Sequence, residues 1–190
     1  ALFRLATLAI AENHIAGAAI VRWDERQGLL GYLLQRVRQD VISLSPVIVS
    51  QCLWAIGKTL LNLVTYKGHK KGAEAMQQTL DALATELVAR GPASFDPQTV
   101  SQSLYGIAKG GYSSPRLHHY FDMVEEMLVS SAQIATYSEQ HIANIAWSFA
   151  FYRRPGQRVM GLIEHELTTR NLTHFKNGEL SMTLWACAKY

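Results

Sequence analysis

Two side-chain types recur at a fixed spacing and have chemistry to offer. Gln51 and Lys58 stand seven residues apart, and Gln102 and Lys109 repeat both the types and the spacing. Asn144 supplies an amide in a third segment and Lys189 a lysine in a fourth. A side-chain amide carries donor and acceptor together and can read the edge of a base, while a lysine neutralises a phosphate. A second set is basic and clustered: Lys67, His69, Lys70 and Lys71; Arg116 with His118 and His119; and Arg153, Arg154 and Arg158. Such clusters on one rim suit a phosphate backbone. Any one of these residues would be at home on an ordinary solvated helix or loop. It is recurrence at equal register that singles out the amides and the first-named lysines.

Other chemistries lack their spacing. Gly68-His69-Lys70-Lys71-Gly72 has neither the length of a phosphate-binding loop nor a strand before it, and His165-Glu166 has no second histidine four residues after the first. Glu164, His165 and Glu166 read as an exposed helix patch, as do Glu125 and Glu126. No Ser/His/Asp set follows from spacing. The chain is therefore expected not to be an enzyme and to need no cofactor or metal. Cys52 and Cys187 are far apart, without zinc spacing, and read as free thiols of a reducing compartment.

Seven residues span about two helical turns, so each amide–lysine pair shares a face only if its segment is a helix. Four segments align without gaps: residues 44–58, 95–109, 137–151 and 175–189. Each carries an aromatic residue at one register position, namely Trp54, Tyr105, Trp147 and Trp185. The steps between them are 51, 42 and 38 residues, the range in which two helices form one repeat of a solenoid. A faint fifth copy opens at His14-Ile15-Ala16, where Arg22 replaces an apolar residue.

Within each segment the apolar residues fall at i, i+3, i+4, i+7. The stripes are Val49, Cys52, Leu53, Ile56; Val100, Ser103, Leu104, Ile107; Ile142, Ile145, Ala146, Phe149; and Leu180, Thr183, Leu184, Cys187. Ser45, Asp96 and Ser138 can cap the first three, with Pro46 and Pro97 at the first helical position. Leu44, Phe95, Tyr137 and Phe175 lie five residues before an apolar partner, as a hydrophobic staple requires. Lys176 stands at the fourth cap position. Between these A helices lie second stripes, marking B helices: Leu30, Leu33, Leu34, Val37, Val41; Met76, Leu80, Leu83, Ala84, Leu87; Leu117, Tyr120, Phe121, Val124, Leu128; and Val159, Leu162, Ile163, Leu167. Turns from A to B are expected over 66–72, 110–115 and 153–156.

The predicted fold is all-α: an α-solenoid of stacked antiparallel helix pairs, about four repeats, with 1–190 a single array and a piece of a longer one. Its hydrophobic fraction of 48% can supply the core, and a net charge of +3 permits an anionic partner. No apolar run is long enough to span a membrane. Asn171-Leu172-Thr173 matches a glycosylation triplet by chance. Capping repeats are not evident, so the ends are expected to meet further repeats or a partner. The aromatic row is expected to pack between neighbouring A helices, with stacking on bases as the alternative.

The pattern Ser/Asp-Pro-x-x-Val-Ser-Gln-x-Leu-Trp/Tyr-Ala/Gly-Ile-Ala/Gly-Lys, read from residues 45–58 and 96–109, resembles the A helix of octatricopeptide repeats. It is similar also to repeats of organellar RAP-domain and FAST-kinase-like proteins. The third copy departs at Phe151 and the fourth at Met182. The resemblance implies an α-solenoid acting on organellar RNA, either rRNA or a transcript, in maturation, in translation or within a mitochondrial ribosome among neighbouring ribonucleoprotein subunits. The compartment implied is mitochondrial, with the chloroplast as alternative. A protein–protein scaffold built from the same repeat is the competing reading, and exposed Met182, Phe151 and Ile48 would favour it.

Overall fold

The computed structural model describes residues 29–64, 70–111, 113–131, 133–153 and 156–190. They form eight α-helices: α1 (Leu29–Asp40), α2 (Pro46–Val64), α3 (Lys70–Arg90), α4 (Pro97–Gly110), α5 (Pro115–Ser131), α6 (Glu139–Tyr152), α7 (Gln157–Thr169) and α8 (Asn177–Cys187). There is no strand among the described residues. The even-numbered helices are the A helices and pack in chain order, α2 on α4 on α6 on α8. The odd-numbered B helices pack as a second row, α1 on α3 on α5 on α7, so the fold is an α-solenoid of helix pairs. No described helix is long and apolar enough to cross a membrane. The fifth copy at 14–22 lies outside the described residues.

The core is drawn mainly from the expected stripes, with Leu33, Val37, Val41, Leu162 and Leu167 of the B helices only half-buried. Val49, Leu53, Ile56, Val100, Leu104, Ile107, Ile142, Ile145, Ala146 and Phe149 are buried, as are Leu34, Met76, Leu80, Leu83, Ala84, Leu87, Leu117, Tyr120, Phe121, Val124, Leu128, Val159 and Ile163. Burial of this apolar surface, at ~25 cal/mol per Å², is what holds helices that individually could not persist. The fourth A stripe departs from expectation: Thr183 is buried, but Leu184 is exposed and Leu180 and Cys187 only half-buried. The reason is positional, since no A helix among the described residues covers the outer side of α8.

Caps follow their chemistry. The Asp96 carboxylate accepts from the Thr99 amide at 2.7 Å, and Ser138 and His141 accept reciprocally from each other's backbone N–H at 3.4 and 3.3 Å. At α8 the lysine cannot accept, and the cap works from the other side: Glu179 accepts the Lys176 N–H at 2.8 Å. Gly111 ends α4 at φ 65°, a conformation glycine adopts without strain. The expected turn over 66–72 is shorter, because Lys70, Lys71 and Gly72 belong to α3. The Asn171 side chain accepts from the Thr173 N–H at 3.0 Å and from its hydroxyl at 2.8 Å, so that triplet has a structural task at a 3₁₀ turn.

Small residues let the A helices touch backbone to backbone. A Cβ on Gly106 would lie 2.5 Å from the Leu53 carbonyl carbon and 2.6 Å from the Trp54 nitrogen. The same register position holds Ala55, Ser148 and Ala186, all buried.

Each return from B to A carries a short 3₁₀ turn whose carbonyls need donors. Arg90 supplies them for the first, donating to the carbonyls of Leu44 at 2.7 Å and Ile42 at 2.9 Å while pairing with Glu86 at 2.6 Å. Arg170 repeats the device two repeats later, donating to Tyr137 at 2.6 Å, Ala135 at 3.0 Å and Ile134 at 3.2 Å, and pairing with Glu166 at 2.7 Å. Glu166 is therefore buried in an ion pair and not part of an exposed patch.

Replacing Arg170 by Met should lower stability by about 2–3 kcal/mol, since several charge-assisted hydrogen bonds vanish and Glu166 is stranded. Arg36→Ala breaks only an exposed pair with Asp40 and should change stability by no more than ~0.5 kcal/mol. Urea unfolding of both variants checks the contrast, and equal effects would contradict the clamp.

Candidate nucleic-acid interface

The A helices carry Gln51, Lys58, Gln102, Lys109 and Asn144 to the seam between neighbours, half-buried instead of on the open face that the sequence suggested, while Lys189 stays exposed. Gln51, Gln102 and Asn144 share one register and are all half-buried. Gln102 is partly engaged, accepting from the Ser50 hydroxyl of α2 at 3.3 Å. Its amide nitrogen is left for other acceptors by that bond.

The lysines join the aromatic row. Lys58 Nζ lies 5.4 Å from the ring centroid of Trp54 on its own helix and 5.4 Å from that of Tyr105 on α4. Lys109 stands 5.6 Å from Trp147 on α6, and Lys189 stands 5.7 Å from Trp185 one turn before it. All four separations are within cation–π range. Tyr105 and Trp147 meet at 5.0 Å, and Trp147 stacks on Phe151 at 4.5 Å. Trp54, Lys58, Tyr105, Lys109, Trp147 and Phe151 thus form one continuous row across three A helices. Tyr105 and Trp147 do pack between neighbours as expected, whereas Trp185 stays 40% exposed.

The row is electrostatically unsatisfied. Among the described residues neither Lys58 nor Lys109 has a carboxylate within ion-pair distance. Burial, and secondarily the charge of Lys109, pull the Lys58 ammonium below its usual pKa of 10.5. Burial likewise pushes the Tyr105 phenol up. Cation–π attraction offsets part of the burial cost of Lys58, and an anion lying along the row would offset the repulsion between the two lysines.

The basic turns divide. Arg116 and Arg153 are exposed, Arg153 closing α6 at φ 53°. Arg158 is committed elsewhere, pairing with Glu126 of α5 at 3.0 Å while Glu125 accepts the Val159 N–H at 3.3 Å. Those two glutamates tie α5 to the start of α7. Lys70 and Lys71 lie in the first turn of α3, and Lys67 and Arg154 fall outside the described residues. Tyr152 stacks on Phe121 at 4.7 Å, a helix-end packing role, and His118 approaches it edge-on at 5.4 Å.

Neither cysteine is set up to react. Both are free, and burial pushes the Cys52 thiol up to about 11. The sequence missed the link between lysine and ring. The signal was there, since Trp54/Lys58 and Trp185/Lys189 are i, i+4 pairs.

The coupling between the lysines makes a pH prediction. A lysine whose folded pKa is depressed stabilises the fold only above its unfolded value of 10.5, and that stability is lost as pH falls through the folded pKa. At neutral pH the Lys58 charge therefore opposes folding. Lys109→Met should move the Lys58 titration back toward 10.5, followed by NMR of the Lys58 side chain, and Lys58→Met should cost no stability at pH 7. An unmoved titration would show the two lysines to be independent.

A scan of protein-family models, a search of curated proteins and a search of solved structures each find no match to this chain.

Proposed function

We propose that the chain is an RNA-binding helical-repeat protein of the octatricopeptide-like class. Its setting is an organellar ribonucleoprotein, mitochondrial in the first instance, and its ligand an rRNA or a transcript held for maturation or translation. The observation that carries this reading is the row of uncompensated lysines over aromatic rings along the A helices. A phosphate chain supplies the missing negative charge, and the half-buried amides of Gln51, Gln102 and Asn144 lie beside it at one per repeat. Exposed Arg116 and Arg153 add positive charge near the ends of the A helices.

A scaffold reading has one observation of its own: Ile42, Val47 and Ile48 are exposed together at the start of α2. Phe151 is also exposed, at 38%, and stacks on Trp147 away from that patch, whereas Met182 is half-buried.

Binding of a 20-nucleotide mixed-sequence RNA to the chain, across a salt series, separates the two readings. The affinity should fall with salt, and the log–log slope should be shallower by about 2 in a Lys58→Ala, Lys109→Ala, Lys189→Ala variant, at ~0.7 per phosphate contact on a single strand. A slope unchanged by the three substitutions would place the contact on the basic turns. A folded protein that binds no RNA would leave the scaffold.

A further inference from the structure

We infer that the outer face of α8 is a docking surface for one more A-type helix, one that carries an aromatic residue followed by a small one. The inference rests on register, independently of any RNA. The position before the aromatic is Leu53 in α2, Leu104 in α4 and Ala146 in α6, each 0% exposed; in α8 it is Leu184, 55% exposed. The position four before the aromatic is Ser50, Ser101 and Ala143, all buried, against exposed Ser181. Three after it come Gly57 and Ala108, buried, Ala150, half-buried, and Ala188, exposed. Ser181, Leu184 and Ala188 line one side of α8 at helical spacing. This is the side that α2 turns toward α4, where Leu53 and Trp54 meet Gly106. The face is thus the continuation of an interface made three times over within the chain.

The interface specifies its occupant. The backbone approach at Gly106 tolerates no large side chain, and its equivalents are Ala, Ser and Ala, so the incoming helix must be small at that point. Lys189 specifies the residue before it. Lys58 and Lys109 each reach the ring of the following A helix, Tyr105 and Trp147, whereas among the described residues Lys189 meets its own Trp185 alone. An aromatic ring brought in by the docking helix would complete that pair. A second copy of this chain is a poor candidate for head-to-tail stacking, because Ala55, the receiving position of α2, the first A helix among the described residues, is already buried.

The test extends the full chain after Tyr190 with a second copy of residues 111–152, which supply a B helix and an A helix with Trp147-Ser148. Position 184 is read by maleimide labelling of Leu184→Cys in a Cys187→Ala background, with Cys52 shielded by burial. The expected result is a rise in helical circular dichroism and a slowing of labelling by about tenfold or more against the unextended chain, as an intermittently opened interface gives. Added helices that form but leave labelling unchanged would overturn the inference, and so would an extension that gains no helix. Sedimentation of the unextended chain as a dimer, made monomeric by Leu184→Glu, would also overturn it by giving the face to a second copy.

Discussion

The close approach of successive A helices is the constraint on which the rest of the molecule depends. With Gly106 against Leu53 and Trp54 there is no side chain between the backbones of α2 and α4. Ala55, Ser148 and Ala186 keep the equivalent position small in the other A helices. Helices that touch this closely hold their flanking side chains in fixed register. Lysine of one repeat therefore lies over the ring of the next, and the core stripes of A and B meet in one hydrophobic cluster. A bulkier residue at the seam would part the helices and scatter the row.

Register also has an electrostatic consequence. Like charges repeated at one position of a stacked array come close together, and here two of them are drawn half out of water. Lys58 accordingly holds its proton less tightly than an exposed lysine. A fold built for its own stability alone would place a carboxylate there, as it does at Glu86–Arg90, Glu166–Arg170 and Glu126–Arg158. The uncompensated row thus contrasts with a molecule that pairs several of its arginines, and that contrast is why the proposed ligand is an anion with planar groups.

Much of the architecture was legible in the residues. The stripes, proline starts and staples marked the helix pairs, because amphipathic period and capping are local properties. Less legible were features that need two helices at once. Gln51 and Lys58 read as open-face residues, since a helical wheel cannot show the neighbour that half-buries them. Leu184 read as core, since its stripe matches that of Leu104; it is exposed because no A helix among the described residues packs on that side of α8. Glu166 read as surface, although Glu166-Arg170 and Glu86-Arg90 each end five residues before a staple aromatic, Phe175 and Phe95. That recurrence was visible, but its purpose required the carbonyls of a turn more than thirty residues away.

The most direct measurement of the seam's authority is the Lys58 titration in a Gly106→Ala variant, followed by NMR beside thermal unfolding. The added methyl must push α4 away from α2, with overpacking of about 1–3 kcal/mol set against ~1 kcal/mol of better helix propensity. The expected outcome is a folded protein of lower stability in which Lys58, drawn away from Tyr105 and rehydrated, titrates closer to 10.5. A variant as stable as the parent, with Lys58 unmoved, would contradict the claim that backbone contact at Gly106 builds the row.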